Sequence, residues 1–175
     1  MGVPSPTRCP PGESRVLHEA GYLPSVCYMT ETSGPLVGHV HSDDLPWVHI
    51  GPVGLQVLRV SADTWVVRNR FEAGFQLPTH KHTGGVHGYT FSGRWRYKEY
   101  GIDYVTGTFI HEPPGSIHTL TIEEDSDILF IIEGAFIEYD ADGNISGVVD
   151  GESTLNSYYA LCDDAGIPRP QGILS

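Results

Sequence analysis

The stretch "LPTHKHTGGVHGYTFSGRWRYKEY", Leu77 to Tyr100, sets three histidines within eight residues and then runs into alternating charged and aromatic positions. His80 and His82 are two apart, so on a strand both imidazoles leave the same face. Two such rings can reach one metal ion lying about 2 Å from each nitrogen. A His-x-His pair alone means little. "GHVHS" supplies another at His39 and His41, ahead of the first clear strand, and it reads as loop. What raises the first pair is a segment downstream, "GTFIHEPPGSIH", Gly107 to His118. Its prolines cannot donate to a ladder, and Pro-Gly forces a tight turn. The chain therefore reverses just before His118 and delivers that residue at the start of a strand.

Outward from this stretch the chain reads as short β-runs: Trp47–Ile50, Leu55–Val60, Thr64–Phe71, His80–Phe91, Arg94–Tyr100, Thr108–His111, Ile117–Ile122, Ile128–Gly134 and Phe136–Tyr139. "GPVG", "EAGFQLP", "SG", "EPPGS", "EEDSD" and "DADGN" separate them as turn signals. So many short strands at this spacing predict a sandwich or barrel. "STLNSYYALCDDAG" is the one convincing helix, with a cap at Ser153 or Thr154 and a stop at Gly166 before Pro168. Residues 1 to 34, rich in Pro, Ser, Thr and Gly, read as an arm with one helical turn near Ser14 to Ala20.

Bulk composition agrees. A chain of 175 residues with 21 glycines and 13 prolines favours frequent turns over long helices. The net charge of −12 repels phosphate backbones, so no nucleic-acid partner is expected. No apolar run approaches the roughly 20 residues of a bilayer span, and no signal-peptide core opens the chain, so no membrane partner is expected. Cys9, Cys27 and Cys162 are odd in number and far apart, which fits a reducing, cytoplasmic setting.

The histidine segments resemble the cupin superfamily in both of its signature motifs. The first, G-x5-H-x-H-x(3,4)-E-x6-G, is matched by Gly74, His80, His82 and Gly93; the second, G-x5-P-x-G-x2-H-x3-N, by Gly107, Pro113, Gly115 and His118. The resemblance implies an all-β fold, a single cupin barrel (double-stranded β-helix or jelly roll) over residues 35 to 175 with a short C-terminal helix. It also implies three metal ligands, His80, His82 and His118. Two positions depart from the pattern: His87 stands for the motif's glutamate, and Ile122 for its final asparagine.

The run after the histidines bears on the fourth ligand. In "RWRYKEY", Arg94, Arg96 and Lys98 alternate with Trp95, Tyr97 and Glu99. A period of two predicts a basic outer and an aromatic inner face, with Glu99 inside. A hairpin turn at Ser92-Gly93-Arg94 then sets Phe91 against Trp95, Tyr89 against Tyr97 and His87 against Glu99. On that register Glu99 completes the site with His80, His82 and His118. Two other readings stay open: His87 as the ligand, or Glu99 paired with an interior base. His111 and Glu112 read as rim residues.

Three imidazoles and a carboxylate suit Fe(II), with Zn(II), Mn(II) and Ni(II) as alternatives, and open positions favour non-haem iron and oxygen chemistry. Tyr89, Phe91, Trp95 and Tyr97 are expected to line a pocket for a flat, apolar substrate. "DLPWV", "HKHTGGVHGYTFSGRWRYKEY", "EPPGSIHTL" and "EYDADGNISGVVD", spanning residues 43 to 165, are similar to the 2,4'-dihydroxyacetophenone dioxygenase-like cupins. That likeness implies an Fe(II) dioxygenase that cleaves the carbon–carbon bond of an aromatic 2-hydroxy ketone with O2, giving a carboxylic acid and formate. It also implies a homodimer or homotetramer. The sequence assigns no catalytic base. Rival readings are a zinc-binding regulatory cupin of the ChrR anti-sigma type and a metal-dependent cupin isomerase.

Overall fold

β8 (Ile117–Glu133) is the longest strand and organises the rest. Its C-terminal half, Ser126 to Glu133, pairs antiparallel with β3 (Thr64–Phe71), and its N-terminal half pairs with β4 (Gln76–His82). On its other side, β5 (Val86–Tyr97) follows it through both halves. One strand thus belongs to both halves of a curled sheet. β1 (Val48–Ile50) and β2 (Val53–Val60) extend the β3 side. β9 (Phe136–Tyr139) and β10 (Ile145–Val149) extend the β4 side. β6 (Asp103–Val105) and β7 (Phe109–Glu112) pair with β5, and α1 (Gly151–Asp164) follows β10. This computed structural model describes residues 38 to 173. The arm expected over residues 1 to 34 lies outside the described residues, as do Cys9 and Cys27.

Alternation explains which side chains fill the barrel. Trp65, Val67 and Phe71 of β3 and Ile128, Phe130 and Ile132 of β8 are buried, while Val66, Arg68, Leu129 and Ile131 between them face outward. Each large apolar side chain so buried contributes roughly 1.5–3 kcal/mol. The helix seals one flank through Leu155, Tyr158 and Cys162, and the Tyr158 hydroxyl donates to the Pro46 carbonyl at 2.6 Å. Its cap is Asp150, three residues before the expected Ser153. The Asp150 carboxylate accepts from the Ser153 N–H, and the Ser153 hydroxyl accepts from the Asp150 N–H. Ser153 is therefore the return half of a capping box.

Two expected turns are absent. "EEDSD" lies inside β8 because arginines on the neighbouring strands pair with its acids. Arg94 meets Glu124 at 3.0 Å, Arg96 meets Glu123 at 3.0 Å, and Arg68 meets Asp127 at 2.7 Å. The hairpin at Ser92-Gly93-Arg94 is the second. β5 runs straight through these residues, with its register against β8 shifting between Thr90 and Trp95. Such a bulge reverses which residues face inward. Before it Val86, Gly88 and Thr90 are buried; after it Trp95 and Tyr97 are. Gly93 makes this possible. Its φ is +93°, and a Cβ there would lie 2.3 Å from the Asp125 carbonyl oxygen.

Gly93→Ala should therefore lower the unfolding free energy by about 2 kcal/mol or more, from a left-handed backbone and a clash with fixed main chain. Urea denaturation measures this, and an unchanged midpoint would remove the bulge from its proposed place in the fold.

Candidate metal centre

β4 and β8 bring the histidines together. His80 and His118 are directly opposite in the register, and His82 is two residues along the same face of β4. All three are buried, and one ligand nitrogen from each lies within 4.8 Å of the others. The Nδ1 of His80 is 2.9 Å from the Pro78 carbonyl oxygen, a bond that protonates Nδ1 and leaves the Nε2 lone pair free. Burial lowers the His80 pKa to about 4, outweighing the Pro78 bond, so the ring is neutral and able to ligate at neutral pH.

A carboxylate joins them, and it is Glu112. This last residue of β7 is only 5% exposed. Its Oε2 lies 2.9 Å from His82 Nε2 and 3.2 Å from His118 Nε2. Tyr97 donates its hydroxyl to Oε1 and stacks its ring on His118 with centroids 3.9 Å apart. Burial pushes the Glu112 carboxyl up, but contacts with His118 and His82 outweigh it and bring the pKa to about 2. Burial, and then the Glu112 charge, push the Tyr97 phenol well up, so it remains a donor.

The donor set fits a metal ion. Glu112 Oε2 and His118 Nε2 are buried and neither makes a hydrogen bond. Around an ion with bonds of ~2.1 Å at right angles, neighbouring ligand atoms stand roughly 3 Å apart, as Glu112 Oε2 does from His82 Nε2 and His118 Nε2. His80, His82 and His118, with Glu112, are the residues that would hold it.

Glu99 is not brought to this cluster. β5 ends at Tyr97, and Glu99 sits exposed in the following turn, where its Oε2 accepts from the Thr119 N–H at 2.9 Å. The register that turned it inward depended on the absent hairpin. His87 faces out of the barrel and stacks on His111 with centroids 4.9 Å apart. Glu112, expected at the rim, was missed although β7 carries the signal. Ile110 is apolar and buried, and Glu112 shares its parity beside the Pro-Pro-Gly turn that delivers His118.

A cavity of about 360 Å³ opens beside the cluster, with His80, His82 and Glu112 in its wall. Its aromatics are Trp65, Phe71, Phe75, Phe130 and Phe136. None of the four expected from β5 lines it, since Tyr89 and Phe91 point outward and Trp95 and Tyr97 are packed in the core. Asn69, Glu138 and Thr154 add polar groups to an otherwise apolar wall.

Glu112→Ala should weaken iron or zinc binding by about 10-fold or more, whereas Glu99→Ala should leave the metal content unchanged. Elemental analysis of the purified variants checks both, and the reverse pattern would return the carboxylate to Glu99.

Comparison with known proteins agrees with this fold. A structure of an RmlC-like cupin protein from Ralstonia eutropha JMP134 superposes with a TM-score of 0.72 at 25% identity, over 78% of this chain and 93% of that one. A second protein from the same strain, of unknown function with a cupin-like fold, gives 0.73 at 25% identity over 84% and 96%. A putative acetylacetone dioxygenase from Methylibium petroleiphilum PM1 gives 0.66 at 17% identity over 72% and 96%. No curated protein matches the chain. The family model described as the ChrR cupin-like domain matches residues 37–137, which is more than half of the sequence. The chain is a cupin barrel and belongs to the ChrR cupin-like family.

Proposed function

We propose that this protein is a non-haem Fe(II) dioxygenase that cleaves the carbon–carbon bond of an aromatic 2-hydroxy ketone. The observation that carries this reading is the buried set of three histidines and one carboxylate in the wall of an apolar cavity. A volume of about 360 Å³ falls at the lower end of small-molecule sites, which run from roughly 300 to 1,000 Å³. The net reaction balances without an added reductant: ketone and O2 give a carboxylic acid and formic acid, one oxygen atom entering each. A structural relative of the same fold is described as a putative acetylacetone dioxygenase.

Ferrous iron, when bound, supplies oxygen activation and Lewis-acid polarisation of the substrate oxygens. The protein supplies the rest. His80 is fixed in one tautomer by Pro78, and Glu112 is held by Tyr97, so the ligands require little reorganisation on binding. Phe71, Phe75 and Phe136 exclude water and offer a flat apolar ring its contacts. Glu138 and Asn69 stand in the same wall, where they can receive the polar end of a substrate. A zinc-holding regulatory role is the second reading, and the family match to the ChrR cupin-like domain is what favours it.

Oxygen uptake separates the two. Protein loaded anaerobically with Fe(II) should consume O2 with 2,4'-dihydroxyacetophenone or a close aromatic 2-hydroxy ketone, forming the carboxylic acid in equal amount. No uptake across a panel of such ketones and β-diketones, with iron confirmed bound, would overturn the dioxygenase reading.

A further inference from the structure

We propose that Glu138 makes the cavity select neutral ligands over anions, and so favours release of the anionic products of the proposed reaction. The inference rests on the metal centre described above, and on the dioxygenase reading only for the identity of those products. Glu138 lies on β9 directly opposite His80 in the register with β4. It shares strand parity with Phe136, and both line the cavity. On its other side it is paired with Gly147 of β10. A Cβ at Gly147 would stand 2.8 Å from Glu138 Oε2, so the missing side chain leaves the carboxylate its place.

No protein group answers the charge of this carboxylate. Among the described residues it makes no hydrogen bond and no ion pair. Neither lysine nor arginine stands among the described residues that line the cavity. Lys81, between the two histidines of β4, leaves the strand by the opposite face. Glu138 itself is half-buried in a wall that Phe136 and Val149 make apolar. A charge in such a setting acts across the cavity with less screening than it would in water.

A divalent ion among the four ligands gives this charge its effect. Imidazoles ligate in their neutral form, and burial already holds His80 neutral. The ion and Glu112 together then leave the centre with one positive charge, which on its own attracts any carboxylate. Glu138 cancels it. A neutral ketone loses little by this, because lone pairs and apolar contacts hold it, whereas a carboxylate loses the net attraction. Carboxylic and formic acids are both anions at neutral pH. Neutral substrate is therefore admitted, and the two anions formed from it meet no net positive charge that would retain them. A cavity shaped to hold an anionic substrate would carry an arginine or lysine in its wall instead.

Protein loaded with Co(II) tests this without turnover, because the visible spectrum of the ion reports each ligand added to it. Formate should bind Glu138→Gln about 10-fold more tightly than it binds the unaltered protein, while neutral imidazole should bind both within about 2-fold. Glu138→Asp keeps the charge and should resemble the unaltered protein. Equal formate affinity in the Glu138→Gln and unaltered proteins, including no binding to either, overturns the proposal. So does a gain that imidazole shares, since that would come from packing and not from charge. The unaltered protein covers the case of a misfolding variant. It should bind 2-hydroxyacetophenone about 10-fold more tightly than phenylglyoxylate, which has the same ring and a carboxylate in place of the alcohol. Equal or reversed affinities overturn the proposal. None of these measurements reads oxygen uptake, so failure of the dioxygenase reading and failure of this one are told apart.

Discussion

Four polar groups, His80, His82, Glu112 and His118, stand inside a barrel whose other contents are mostly apolar, and every feature around them answers to that cost. A buried carboxylate without compensation is strongly unfavourable, and buried nitrogens without partners are only a little less so. Here one Glu112 oxygen has its partner in the Tyr97 hydroxyl, and the other faces two imidazole nitrogens without a hydrogen bond. The protein alone leaves that half of the arrangement incomplete. A cation among the four groups completes it, with charge for the carboxylate and an acceptor for the nitrogen lone pairs.

The barrel delivers these groups through strand parity. His80 and His82 share a face of β4, His118 lies opposite on β8, and Glu112 on β7 reaches the same interior across β5. β5 contributes Tyr97, the residue that holds Glu112, and does so only because the bulge around Gly93 shifts parity within the strand. With strict alternation from Val86 onward, Tyr97 would face solvent and Arg96 would point into the barrel. A single left-handed glycine lodged against Asp125 thus decides which side chain supports the carboxylate. The same bulge lets one unbroken strand brace both halves of β8.

Much of this was legible in the sequence. The spacing of many short strands was enough for a sandwich or barrel, and the resemblance of the histidine and Pro-Pro-Gly segments to the cupin motifs implied the cupin barrel and the three histidines that come together. The carboxylate was not. Its placement rested on reading "FSGRW" as a hairpin, and serine-glycine between aromatic runs gives the same local signal for a turn and for a bulge. Only the neighbour distinguishes them, since Gly93 lies against the main chain of Asp125, which is 32 residues away in sequence. "EEDSD" misled for a related reason: its acids read as solvated until the arginines of β3 and β5 are set beside them. Glu112 carried a local signal in the parity of β7. A glutamate next to two prolines nonetheless has the composition of a loop.

The metal centre depends on the parity of one short strand. On β7, Ile110 and Glu112 point inward while Phe109 and His111 point outward. That strand is four residues long, and among the described residues it pairs only with β5. A short edge strand is among the first elements of a sheet to open locally. Glu112 therefore sits on one of the least anchored strands of the barrel, although its position must hold to a fraction of an ångström for it to share a metal with His82 and His118. A metal ion shared by Glu112 with His82 and His118 would tie β7 to β4 and β8 through its inner face, so metal binding would stabilise this strand by linkage.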